Sequence, residues 1–149
     1  MKPSLTLLAL LFSARAWAGG VAENVVVVDP QVWLPPPASR LTAAYMRLKN
    51  NGAREARLVA AKAPTAHAIE LHNHINDKGI MRMRQVSAIV VPAHAEVALE
   101  PGGYHLMLIG LAVPLKEGER IAMTLVFDDG SHKEVAALVK KSLIGMSVQ

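Results

Sequence analysis

The chain has 149 residues with 16 basic and 12 acidic side chains, a formal net charge of +4, and no cysteine. A charge this close to balance gives no electrostatic reason to expect nucleic acid or a membrane surface as a partner. The absence of cysteine rules out disulfides and thiolate ligands, and with them the electron-transfer cupredoxins, whose copper needs a thiolate.

The first eighteen residues have the pattern of an export signal. Lys2 gives a positive start, residues 5–12 form a short apolar segment, and Ala16-Trp17-Ala18 supplies the small residues around a signal-peptidase cut. The apolar segment is shorter than the roughly 20 residues that span a bilayer. We therefore predict a signal peptide over residues 1–18 and an exported mature chain without a membrane span. Residues 19–141 are sufficient for a single domain with a real core.

Short apolar or alternating segments separated by turn residues predict β-strands along the mature chain. Val25–Val28 ends at Asp29-Pro30, and Gln31–Leu34 ends at three prolines, which cannot continue a sheet ladder. Further strands are predicted over residues 44–49, 57–61, 66–74, 81–86, 89–91, 96–99, 105–111, 120–127 and 133–139, followed by a short tail over residues 142–149. With no amphipathic helix evident, these residues indicate an all-β fold, an antiparallel sandwich or barrel.

Four residues, His72, Met83, His105 and Met107, are candidate metal ligands, and we call them the ligand quartet. Their spacing is His, ten residues, Met, twenty-one residues, His, one residue, Met. Imidazole nitrogen combined with thioether sulfur suits monovalent copper, since soft cations bind polarizable sulfur better than hard cations do. His105 and Met107 stand two apart on a predicted strand, so both should point to one face, near the strand end and close to solvent. Whether His72 and Met83 reach the same point depends on strand pairing, which spacing alone leaves open.

The quartet sits inside segments that resemble a known family. Glu70-Leu71-His72, residues 79–86 and Pro101-Gly102-Gly103-Tyr104-His105-Leu106-Met107 are similar to the periplasmic copper chaperones called PCuAC, and the similarity covers roughly residues 32–139. The resemblance implies a cupredoxin-like Greek-key β-sandwich that holds one Cu(I) ion through the quartet at an exposed rim. It also implies delivery of copper to the dinuclear copper centre of apo cytochrome c oxidase subunit II, alongside a Sco-type thiol protein, in the periplasm.

Two further residues are possible auxiliary ligands. Many relatives carry a methionine two residues after the first histidine, where this chain has His74. His74 could be a spare ligand, an auxiliary for Cu(II) or a solvated rim residue, and we favour the last. Met81 shares a strand face with Met83 and could replace it, although packing in the core or at the rim is the expected role because methionine fills irregular gaps.

Two alternative functions remain open. A general periplasmic copper buffer would use the same ligands. A zinc hydrolase on His72, His74 and a third histidine ranks a distant third, because no general base is obviously placed and Glu70 is the nearest carboxylate. We therefore expect a monomeric copper carrier that is not an enzyme.

Overall fold

The strands predicted from alternation are present in the computed structural model, which describes residues 19–142. The predicted signal peptide and residues 143–149 of the predicted tail lie outside the described residues. Within residues 19–142 a short 3-10 helix, Val21–Asn24, precedes ten strands. The strands are β1 Val25–Trp33, β2 Leu41–Asn50, β3 Ala56–Lys62, β4 Ala66–Asp77, β5 Ile80–Gln85, β6 Ile89–Val91, β7 Glu96–Leu99, β8 Tyr104–Leu111, β9 Arg120–Phe127 and β10 His132–Lys140.

These strands form one continuous sheet in the order β5-β4-β8-β7-β2-β1-β10-β9-β3-β6, with an additional pairing of β8 with β2. The sheet folds over itself, so that β3 lies against β4 and β6 contacts both β2 and β7. Most neighbours are antiparallel, but β1 pairs with β10 in parallel and β7 with β8 likewise. The all-β, single-domain prediction is confirmed, whereas the expected antiparallel pairing fails at these two places. β1 and β10 come from opposite ends of the domain, and β7 meets β8 at the single pair Leu99 and Tyr104.

The predicted break at Asp29-Pro30 is instead a bulge inside one strand. The register of β1 against β2 shifts between Val28 and Gln31, and Asp29 has a φ of 48°. A bulge leaves an extra residue outside the ladder, and it thereby accommodates the proline, which has no N–H to donate. Proline interrupts the ladder here without ending the strand.

The core lies on the inner face of the folded sheet. Met46 and Met123, both predicted to be core residues, are 2% and 1% exposed. Leu106 and Leu108 of β8 are fully buried there. Because successive side chains of a strand alternate between faces, His105 and Met107 must project from the opposite, outer face. Nowhere in residues 19–142 does a helix have the length and apolar character needed to cross a bilayer.

Candidate metal centre

The two histidines of the quartet meet across the β4–β8 ladder. His72 of β4 is the direct partner of His105 of β8, and their ring centroids are 5.6 Å apart. Directly opposed residues project to the same side of a sheet. Their chain neighbours Leu71 and Leu106 form the next pair and are buried on the core side. The two imidazoles are therefore side by side on the outer face.

The two methionines occupy the same face at opposite corners of this histidine pair. Met107 is the partner of Glu70, and Met83 on β5 is the partner of His74. Each methionine is thus one diagonal step from His72, which corresponds to roughly 7–8 Å in a regular sheet. The quartet shares one face, with imidazoles in the middle and the thioethers on either side of them.

The histidine end of the site is buried, contrary to the predicted position close to solvent. His105 is only 1% exposed. The rings of His72, His74 and Tyr45 surround it, with centroids 5.6, 5.1 and 6.2 Å from its own. Met83, by contrast, is 42% exposed on a strand whose residues are all exposed. The site is therefore closed at His105 and open at Met83.

Hydrogen bonds fix which ring nitrogens are available. His105 Nδ1 lies 3.2 Å from the Gly103 carbonyl oxygen, and His72 Nε2 lies 2.8 Å from Glu70 Oε2. Carbonyl and carboxylate oxygens accept, so these nitrogens donate and the other nitrogen of each neutral ring carries a lone pair. His105 Nε2, His72 Nδ1 and His74 Nδ1 are all buried without a hydrogen-bond partner. Buried unpaired polar atoms are costly, and a metal ion bound between the rings of His72 and His105 would satisfy the nitrogens of that pair.

Burial also sets the charge state of the site. Burial lowers the pKa of His105 below its usual value, and repulsion from His74 and His72 acts in the same direction against the opposing bond to Gly103. The imidazole is accordingly neutral at neutral pH, with its lone pair free for a metal. Burial raises the pKa of Tyr45, so its hydroxyl remains protonated there.

The two auxiliary candidates differ in their surroundings. The interpretation of His74 as a solvated rim residue is wrong, because its ring lies beside His105 and its Nδ1 is buried. Met81 is 55% exposed and is the partner of Asn76, farther out on the β4–β5 hairpin than Met83. Met81 is therefore not a core residue, and packing at the rim stays a prediction for it.

Histidines and carboxylates do not complete a metal site by themselves. In the described part of the chain, no three His, Asp or Glu side chains converge closely enough to hold a metal ion. A metal held in this arrangement needs donors of another kind, and the thioethers of Met83 and Met107 share the outer face. This donor set fits a soft monovalent ion better than zinc.

Sequence reasoning missed the aromatic wall of the site. Tyr45 packs against His105, and Trp33 packs against Tyr45 with ring centroids 4.6 Å apart. Alternation in β2 could have placed Tyr45 on the face opposite the buried Met46. Its position beside His105 depends on the β2–β8 pairing, for which the sequence carries no local signal.

Comparisons with known proteins agree with this architecture. A family model described as "Putative lipoprotein LpqE-like" matches residues 25–139. "Putative lipoprotein Lxx21020" from Leifsonia xyli subsp. xyli is 36% identical, covering 91% of this chain and 82% of that protein.

Two solved structures of copper-loaded proteins also match. The solution structure of CuI-DR1885 from Deinococcus radiodurans is 37% identical, with a TM-score of 0.67, covering 82% of this chain and 83% of that one. The copper-bound PCuAC domain from PmoF2 has a TM-score of 0.69 at 23% identity, covering 80% of this chain and 94% of that one. At that identity the second likeness concerns the fold alone. The predicted cupredoxin-like sandwich is confirmed.

Proposed function

The chain belongs to the PCuAC family, which the LpqE-like model represents, and on that premise we propose that it is an exported metallochaperone for Cu(I). One observation carries the proposal: the unpartnered nitrogens of His72 and His105 belong to rings that meet on the outer sheet face, with Met83 and Met107 flanking them. The relative DR1885 was solved with Cu(I), which supports the same metal here.

The donor chemistry favours reduced copper. Two imidazole nitrogens and two thioether sulfurs are neutral, so binding requires no thiol deprotonation. The lowered pKa of His105 keeps one of these nitrogens unprotonated. In our proposal His72 and His105 hold the ion on the closed side, and Met83 and Met107 complete its coordination.

The open side of the site suits handover. Met83 lies on the exposed edge strand β5, so an acceptor's ligands can approach the ion there and displace a thioether before they displace the buried His105.

We propose that the acceptor is the dinuclear copper centre of apo cytochrome c oxidase subunit II, alongside a Sco-type thiol protein. We further propose that the chain acts in the periplasm as a monomeric carrier and not as an enzyme. The lipoprotein names of the relatives support export.

An anaerobic Cu(I) titration against a competing chelator tests the metal and the site together. The wild-type protein is expected to bind one tight equivalent, and the His105→Ala, Met107→Ala double variant is expected to lose it. His132→Ala is a matched control, because that histidine is exposed on β10, outside the cluster. Unchanged binding in the double variant would contradict the assignment. Zinc that outcompetes Cu(I) and supports ester hydrolysis would favour an enzyme.

Delivery is separated from buffering by a transfer experiment. The nearly complete burial of His105 favours retention of the ion, which is what a general copper buffer requires. Mixing the Cu(I) protein with the apo copper domain of subunit II should give metal transfer if the chain is a carrier. Normal binding without transfer would support the buffer.

A further inference from the structure

Glu70 lies beside His72 on the outer face of β4, and its carboxylate is hydrogen-bonded to the Nε2 of that ring. Glu70 Oε2 is 2.8 Å from His72 Nε2, and the two side chains are 36% and 14% exposed. They stand two residues apart on one strand, so the strand itself keeps both on the same face. The contact is local and requires no rearrangement of the sheet.

This contact determines which nitrogen of His72 is free. An ionised carboxylate only accepts hydrogen bonds, so Nε2 carries the proton and Nδ1 carries the lone pair. Nδ1 is buried and has no partner. His105 has the complementary arrangement, because the Gly103 carbonyl engages Nδ1 and leaves Nε2 unpartnered. The two rings therefore leave different nitrogens for a shared metal ion: Nδ1 of His72 and Nε2 of His105.

We propose that Glu70 is a positioning residue that makes His72 bind the metal through Nδ1, with His105 binding through Nε2. The inference rests on the proposed Cu(I) function and adds to it a carboxylate that does not touch the ion. A histidine ligand commonly donates its second N–H to a carboxylate, which fixes the ring orientation and strengthens the donor. Loss of such a partner typically costs 10–100-fold in metal affinity.

The surroundings of Glu70 support this role over a purely structural one. Across residues 19–142, its carboxylate has His72 as its hydrogen-bond and ion-pair partner and pairs with no lysine or arginine. Its cross-strand neighbour is Met107, which is itself a candidate ligand. The carboxylate thus contacts the site and makes no salt bridge that would stabilise the sheet elsewhere.

Nuclear magnetic resonance of the 15N-labelled full chain tests the assignment directly. In the apo protein, the His72 Nε2–H is expected to exchange slowly with water because it is bonded to Glu70. On addition of Ag(I), a closed-shell probe for Cu(I), the 15N shift is expected to move most at Nδ1 of His72 and at Nε2 of His105. A metal-induced shift centred on His72 Nε2 would overturn the proposal.

Variants separate positioning from charge. Glu70→Ala is expected to lose the slowly exchanging proton and to weaken Cu(I) binding 10–100-fold. Glu70→Gln should recover part of both, since its amide oxygen still accepts from Nε2. Glu96→Ala removes an equal charge from a glutamate that pairs with Arg47 on another part of the sheet, and it should bind as the wild type does.

Each contrary outcome has a distinct meaning. Wild-type affinity in Glu70→Ala, or an equal loss in Glu96→Ala, would overturn the positioning role while leaving the Cu(I) function intact. Failure of the wild-type chain to bind Cu(I) at all would overturn the proposed function and this inference with it.

Discussion

His72 and His105 are direct cross-strand partners on β4 and β8, and each has one ring nitrogen engaged by an oxygen and the other buried without a partner. The oxygens come from Glu70 and Gly103, each two residues away from the histidine it engages. The strands therefore preorganise two imidazole donors in the absence of metal, at a cost to the stability of the apo fold.

His105→Leu should make the apo protein more stable while it abolishes Cu(I) binding. Leucine has a similar volume and removes the buried, unpartnered Nε2, whose desolvation costs about 1–3 kcal/mol. The Gly103 carbonyl keeps a hydrogen bond, because the backbone N–H of His74 also donates to it. We expect the free energy of unfolding to rise by about 1 kcal/mol, measured by urea denaturation of the apo protein.

His132→Leu is the control for a general effect of added apolar surface. That side chain is exposed, so no gain in the free energy of unfolding is expected. A clear fall in the free energy of unfolding of His105→Leu would contradict the view that the buried, unpartnered Nε2 of His105 destabilises the apo fold.

The sequence predicted that His105 and Met107 share one face of the sheet, but it did not predict that His105 is buried. Alternation along β8 was enough to place His105 and Met107 on one face and Leu106 and Leu108 on the other, because the alternation of side chains depends only on the strand itself. The burial of His105 arises from Tyr45 on β2 and from histidines on β4, which are far away in sequence. Local sequence was also insufficient for β1. Pro30 predicts the end of a strand, but β2 pairs with β1 on both sides of the proline, and a bulge accommodates it.

His74→Met should preserve Cu(I) binding and weaken Cu(II) binding. The His74 ring lies 5.1 Å from that of His105, with Nδ1 buried and unpartnered, so it is a further nitrogen donor beside the quartet. Imidazole suits Cu(II), whereas a thioether favours Cu(I). We expect a Cu(II) affinity at least several-fold lower, measured by competition and by electron paramagnetic resonance. His132→Met serves as the control, and an unchanged Cu(II) spectrum would show that His74 does not coordinate the ion.

The imidazole of His105 should titrate below the ordinary pKa of about 6.5. Burial is the largest cause, repulsion from His74 and His72 adds to it, and the bond to Gly103 opposes it. Because the folded-state pKa is below the unfolded one, the unfolded chain takes up more protons as the pH falls through 6.5, so folding stability declines there. Titration of the apo protein by nuclear magnetic resonance measures the pKa. In His105→Leu, this part of the decline between pH 6.5 and the lower folded-state pKa should disappear, and an unchanged pH profile would contradict the assignment.

Gly110→Ala should destabilise the fold more than Gly118→Ala. Both glycines have positive φ, +68° and +86°, so an alanine is strained at either place. At Gly118 an added Cβ meets nothing within 4 Å, but at Gly110, inside β8, it would lie 2.9 Å from the Cβ of His67 on β4. Overpacking costs about 1–3 kcal/mol, and this is the expected difference between the two variants in urea unfolding.

A double-mutant cycle with His67→Gly isolates that contact between β4 and β8. His67→Gly removes the opposing Cβ, so Gly110→Ala should cost less in that background than in the wild type. The residual cost should match that of Gly118→Ala, since only backbone strain remains. Equal costs of Gly110→Ala in both backgrounds would mean that the two strands do not approach this closely. In that case, the register that brings His72 opposite His105 would be held by other contacts along the same ladder.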